Sequence, residues 1–132
     1  RALQQARHLR EAAAEIFYAI VDERTPSPDS IKKLDESLHA AQANRTLRWR
    51  SGRAELAWPS DAPQPGFPLW LLAQSAVDLL ISEQIGTLRA CADEGCRWLF
   101  LDTSKNHSRR WCDMKICGNR TKARRFKAQR RA

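Results

Sequence analysis

Cys91-Ala-Asp-Glu-Gly-Cys96 and, after a gap of fifteen residues, Cys112-Asp-Met-Lys-Ile-Cys117-Gly-Asn-Arg120 hold every cysteine of the 132-residue chain. The two pairs share one spacing, Cys-x4-Cys. A short loop that holds two sulfurs on one side of an ion, matched by a second loop on the other, suits a tetrahedral Zn2+ bound by four thiolates at about 2.3 Å each. Two disulfides, or four unrelated core cysteines, are the competing explanations, but a random scatter rarely falls into two matched pairs. The spacing predicts one structural Zn2+ on Cys91, Cys96, Cys112 and Cys117. His107 lies between the pairs as an alternative ligand, which four cysteines make redundant. Four thiolates close the coordination shell, so the ion acts as a staple and not as a reaction centre. A module of about forty residues buries too little surface to stand unaided, and metal binding supplies much of its folding energy.

The same stretch carries a family resemblance. Cys117-Gly118-Asn119-Arg120, with Trp111-Cys112 before it and Trp98-Leu99-Phe100-Leu101-Asp102 after the first cysteine loop, resembles the CGNR zinc finger. In bacteria that finger follows an α-rich domain called ABATE, in proteins described as stress-induced transcription regulators. The resemblance is specific over residues 87–132 and covers residues 1–86 only in the order and character of the elements. It implies a DNA-binding regulator whose first domain senses a signal or dimerises, and it places the opening of that first domain before Arg1. The chain starts at Arg1, already inside a helical pattern, as expected of a fragment or processed form.

Charge divides the chain at the same place. Residues 1–90 hold 11 Lys and Arg against 11 Asp and Glu; residues 91–132 hold 12 against 4, so the whole net charge of +8 sits in the cysteine-bearing part. Four thiolates and one Zn2+ would lower it to about +6. A field that dense marks a polyanionic partner, most simply nucleic acid. Acidic phospholipid fits less well, because no amphipathic helix with bulky apolar anchors accompanies the charge. The apolar content of 42% is that of a globular protein. No run of about 18 apolar residues occurs, so no membrane span is expected. Cysteines in metal-ligand spacing favour a reducing cytoplasm.

Upstream, the periodicity predicts a helix over residues 3–21 that buries Leu3, Ala6, Leu9, Ala13, Ile16, Phe17, Ile20 and Val21. Thr25-Pro26-Ser27-Pro28 breaks it, and Ser27 with Pro28 supplies a cap and first turn for a second helix to about Asn44, burying Ile31, Leu34, Leu38 and Ala41. His8 and His39 lie beside these stripes as surface residues. From Thr46 to Trp58 the period becomes two. With Ser51-Gly52 as the turn, Trp49 faces Ala54 and Leu47 faces Leu56. Leu47, Trp49, Ala54, Leu56 and Trp58 then form an apolar underside, and Arg48, Arg50, Arg53 and Glu55 a solvated face. Residues 59–66 read as a turn-rich connector. A third helix from Pro68 to near Gly86 carries Trp70, Ala73, Val77, Leu80 and Ile81 toward the same core.

Beyond it, Thr87 to Cys91 and Arg97 to Leu101 read as a second hairpin around the first cysteine pair, and residues from Cys117 onward as a terminal helix. The fold class is therefore α+β, mostly α. A small helical domain with one β-hairpin over 1–86 precedes a treble-clef-like zinc finger with four cysteine ligands over 87–132, with a plain zinc ribbon as the alternative. On the last helix Arg120, Arg124, Lys127 and Arg131 make one basic stripe, with Lys122 and Arg125 a shorter second one. Asn119, Ala123 and Phe126 fall on the face expected to pack on the cysteine loops, where Asn119 would brace the second loop. Gly118 permits a close backbone approach. Arg97, Lys105, Arg109 and Arg110 extend the basic surface. Trp98, Phe100 and Trp111 are expected to form the finger's small core in preference to stacking on bases. These cations predict DNA contacts, mainly to phosphate, with Arg120 nearest a base edge. RNA binding, or an adaptor that docks an acidic protein, are the alternatives. A homodimer through the first domain and a small-molecule effector are compatible with that domain's neutral charge. No nucleophile–base pair, paired carboxylates or Gly-rich phosphate loop points to an enzyme.

Overall fold

A computed structural model describes residues 2–58 and 64–130. The chain forms two compact units, Arg1–Ile81 and Ser82–Ala132. Residues 82–86 thus belong with the second unit and not with the first.

In the first unit, α1 (Ala2–Val21), α2 (Pro28–Ala43) and α3 (Phe67–Ile81) pack around Leu9, Ile16, Leu34 and Ala73, with Ile20, Leu69, Ala76, Val77 and Leu80 against them. The buried seam of α1 is Leu9, Ala12, Ile16 and Ala19. Leu3, expected inside, is exposed because the seam starts two turns later. On α2 the buried residues are Ser30, Leu34 and Ala41, and Ile31 faces out. Ser27 caps α2 as expected, its hydroxyl accepting the Ser30 N–H at 3.1 Å, with Pro28 at the first helical position. The Ser27 N–H in turn donates to Glu15 Oε2 at 3.2 Å, which ties the start of α2 to the side of α1. Residues 82–86 do not extend α3. A 3-10 turn, Glu83–Thr87, follows Ile81, which is exposed.

The hairpin of β1 (Thr46–Arg50) and β2 (Arg53–Ala57) has the expected register, Leu47 opposite Leu56 and Trp49 opposite Ala54. Ser51 and Gly52 both have positive φ, 51° and 79°, as a two-residue turn that follows strand twist requires. Its apolar side does not join the core. Leu47, Trp49 and Leu56 are exposed, Trp49 by 76%. Alternation fixes which residues share a face and is silent on whether anything covers it. Trp58 instead joins an aromatic cluster with Phe67 and Trp70, at 6.0 Å from each ring. Of the expected connector, residues 59–63 lie outside the described residues.

In the second unit, β3 (Leu88–Ala90) pairs antiparallel with β4 (Leu99–Leu101), and the Cys91 N–H continues the pairing to the Trp98 carbonyl at 2.9 Å. The Asp102 N–H donates to Thr87 O at 2.8 Å, which anchors the 3-10 turn to this unit. A five-residue π-turn, Met114–Gly118, leads into α4 (Asn119–Gln129). No helix among the described residues is long and apolar enough to cross a membrane.

Candidate metal centre and the basic surface around it

Four sulfurs, from Cys91, Cys96, Cys112 and Cys117, lie within 4.8 Å of one another, and none is in a disulfide. Cys96 Sγ and Cys117 Sγ each stand 3.7 Å from Cys112 Sγ. A tetrahedron with metal–sulfur bonds of about 2.3 Å has edges of about 3.8 Å, so the spacing fits zinc. Without a cation the sulfurs resist ionising together. Burial pushes the Cys117 thiol up to about 12, with the neighbouring sulfurs adding to the shift, and burial raises Cys112 as well. Cys91 moves down: burial opposes its ionisation, but backbone N–H groups of Cys112 and Asp93 outweigh it. Sulfurs this close cannot all become thiolates without a cation among them. His107 is not part of the cluster, since its Nδ1 is 3.1 Å from the Asp102 carbonyl.

Local hydrogen bonds present the sulfurs. In the first loop the Asp93 carbonyl accepts the N–H of Cys96 at 2.8 Å and of Arg97 at 3.1 Å. In the second, Asp113 Oδ1 accepts the N–H of Lys115 and Ile116 at 2.7 and 3.1 Å, and its carbonyl accepts Cys117 N–H at 2.9 Å. The Ala92 N–H donates to Arg110 O at 2.8 Å and joins the two loops. Gly118 is buried at the end of the π-turn, where a Cβ would stand 2.5 Å from Met114 Sδ. Its close approach is thus to a side chain of its own loop.

Two buried carboxylates organise what surrounds the sulfurs. Asp93 Oδ2 accepts Arg120 Nε at 2.6 Å, and Oδ1 accepts Arg124 Nη1 and the Gly95 N–H, each at 3.1 Å. The Arg120 guanidinium, helped by Gly95 and Arg124, outweighs burial and holds the Asp93 carboxyl below the usual range. Arg120 Nη2 also reaches Cys117 Sγ at 3.4 Å, so one guanidinium bridges carboxylate and metal ligand. Asp102 Oδ1 accepts the Ser104 hydroxyl at 2.6 Å and its N–H at 3.0 Å, and Oδ2 accepts the Arg109 N–H at 3.0 Å. The Ser104 hydroxyl leads in holding that carboxyl low. Neither role was drawn from the sequence. Asp93-x-Gly95 in the first cysteine loop and Asp102-x-Ser104 in the loop after β4 were the available signals, each an Asx turn.

These contacts reverse the expected roll of α4. Arg120 and Arg124 turn toward the first loop, whereas Asn119, Ala123 and Phe126 are exposed, Phe126 by 60%. A buried carboxylate must be paired, and two arginines one turn apart pair it. Asn119 therefore does not brace the second loop. Lys122, Arg125 and Lys127 are exposed on α4 and make no ion pair among the described residues. Arg110 lies 5.3 Å from the Trp111 ring, and Arg109 lies 4.7 Å over Phe100 while donating to the carbonyls of Trp111 and Cys112. Lys105 is exposed in the loop after β4, and Arg97 occupies the positive-φ position after Cys96. Arg131 lies outside the described residues. Phe100 and Trp111 are half-buried as expected, but Trp98 is 70% exposed and is no core residue.

A small helical domain followed by a four-cysteine finger with a basic terminal helix is the class that fold and site define. Comparison with known families matches residues 87–130 to the CGNR zinc finger and residues 1–83 to ABATE, described as "Putative stress-induced transcription regulator". The chain belongs to the ABATE family and carries the CGNR finger in the order the resemblance implied. No curated protein matches it.

Proposed function

We propose that this chain is a cytoplasmic DNA-binding transcription regulator that acts by binding and not by catalysis. One structural Zn2+ on the four cysteines holds the second unit together, and the cations around α4 contact phosphate. The observation that carries this reading is the charge division, 12 Lys and Arg against 4 Asp and Glu from residue 91 onward. Two of those four acids, Asp93 and Asp102, are buried, and the Asp93 charge is shared between Arg120 and Arg124. Lys122, Arg125 and Lys127 supply exposed cations, and Lys105, Arg97, Arg109 and Arg110 flank the cysteine loops. Arg120 and Arg124 remain partly exposed beside Asp93 and add fixed, oriented donors. The first unit is the regulatory part, suited to an effector or a second copy. A groove of about 240 Å³ lined by His8, Lys33, Glu36 and Trp70 offers a small ligand a place in it.

A salt titration of DNA binding by the zinc-loaded chain tests this. Each alanine replacement of Lys122, Arg125 or Lys127 should weaken binding to all sequences alike and lower the salt slope by about one. Unchanged affinity in all three variants would leave an acidic protein as the better partner.

A further inference from the structure

A tryptophan that stands in solvent on a forty-residue module asks for a partner. Trp98 is 70% exposed and Ile116 62%, and both line one open cleft with Phe100, Arg109 and Arg120, whose lining also includes Cys96, Cys112 and Cys117 of the sulfur cluster. The Trp98 backbone is anchored, its carbonyl accepting the Cys91 N–H, and Arg109 lies 4.7 Å over the Phe100 ring while donating to two backbone carbonyls. The cleft's one carboxylate, Asp113, accepts the N–H groups of Lys115 and Ile116 on Oδ1. What remains around the three cysteines is an open, partly aromatic cleft with the guanidinium groups of Arg109 and Arg120 in its lining, in the most cationic part of the chain. A ligand that matches it has a flat apolar face, a polar edge and an attached anion. A nucleobase on its phosphate backbone has all three, but inside a duplex both its faces are covered by neighbouring bases.

We propose that this cleft receives an unpaired nucleobase, stacked on Trp98, while the α4 cations hold the flanking phosphates. The inference rests on the DNA-binding reading and adds to it a preference for single-stranded or locally opened DNA. An open cleft receives one face of a base, which separates it from an apolar wedge that projects between paired bases.

The test compares binding of the zinc-loaded full chain to a short single-stranded DNA, to the paired duplex of the same sequence, and to that duplex with one bulged base. Trp98→Ala should weaken the single-stranded and bulged probes by about 5- to 150-fold, the span of one base–aromatic stack. It should leave the paired duplex unchanged. Trp98→Leu keeps apolar bulk without a π face and should behave like alanine, whereas Trp98→Phe should retain most of the binding. Zinc content identifies any variant that has lost the fold, and the leucine–phenylalanine pair then carries the comparison. Equal losses on all three probes would overturn the cleft in favour of a wedge, and leucine binding as well as phenylalanine would overturn stacking. A wild-type chain that binds duplex, with no probe sensitive to Trp98, ends this inference alone. A wild-type chain that binds no DNA at all ends the underlying reading with it.

Discussion

The two units hold themselves together by different means. The first buries Leu9, Ile16, Leu34 and Ala73 between three helices and carries no net charge in its part of the sequence. The second buries little that is apolar, Leu88, Cys91, Cys117 and Gly118, and beside them the carboxylates of Asp93 and Asp102. What joins its loops is the clustering of four cysteines and the hydrogen bonds to those carboxylates. The difference assigns their vulnerabilities. The first unit should respond to lost methylenes, the second to lost metal and lost charge.

Metal removal draws the sharpest line. Structural zinc contributes an apparent ~10–16 kcal/mol in small zinc domains, so a strong chelator should unfold the second unit nearly completely. Cys117→Ser should do the same, and the helices of the first unit should persist in both cases. Hydrogen exchange resolved by residue checks it. Amides in residues 88–118 that stay protected without metal would erase the distinction between the units.

The converse experiment is smaller. Ile16 is 1% exposed in the middle of the α1 seam, and Ile16→Ala should cost about 2–5 kcal/mol of the first unit's stability. Zinc affinity, read by chelator competition, should not move, because no ligand or carboxylate partner lies in that core. A variant that also loosens zinc would show that the two units fold as one.

The same contrast explains which features the sequence disclosed. Local rules worked where local causes act: the Cys-x4-Cys pairs, the Ser27 cap, the Ser51-Gly52 turn and its register. They failed where a contact spans the chain. Arg120 and Arg124 meet a carboxylate 27 and 31 residues away, and helical period sorts stripes without saying which one turns inward. The usual guide, apolar side in, sent Phe126 and Ala123 to the interior. That guide presumes an apolar core, which the second unit lacks. The exposed face of the β1–β2 hairpin and exposed Trp98 are the same failure seen from outside, apolar residues assigned to a core that does not reach them.

Asp93 puts this to the finest test, because one residue there serves both the metal and the surface. Asp93→Asn keeps the side chain's shape and its acceptor for the Gly95 N–H, and removes the charge that Arg120 and Arg124 share. Arg120 then loses the partner that holds it against Cys117 Sγ. Groups that orient a metal ligand from the second layer typically contribute 10- to 100-fold to metal affinity, and a loss in that range is expected here. Chelator competition measures it. At saturating zinc the second consequence runs the other way. Two guanidiniums no longer balanced by a carboxylate become available to phosphate, so DNA binding should tighten and its salt slope steepen by as much as about two. Weaker zinc with tighter DNA is a combination that simple unfolding cannot produce. Unchanged zinc affinity would reduce the Asp93 contacts to incidental packing. Weaker binding of both would mean that Arg120 and Arg124 need Asp93 to hold them in place.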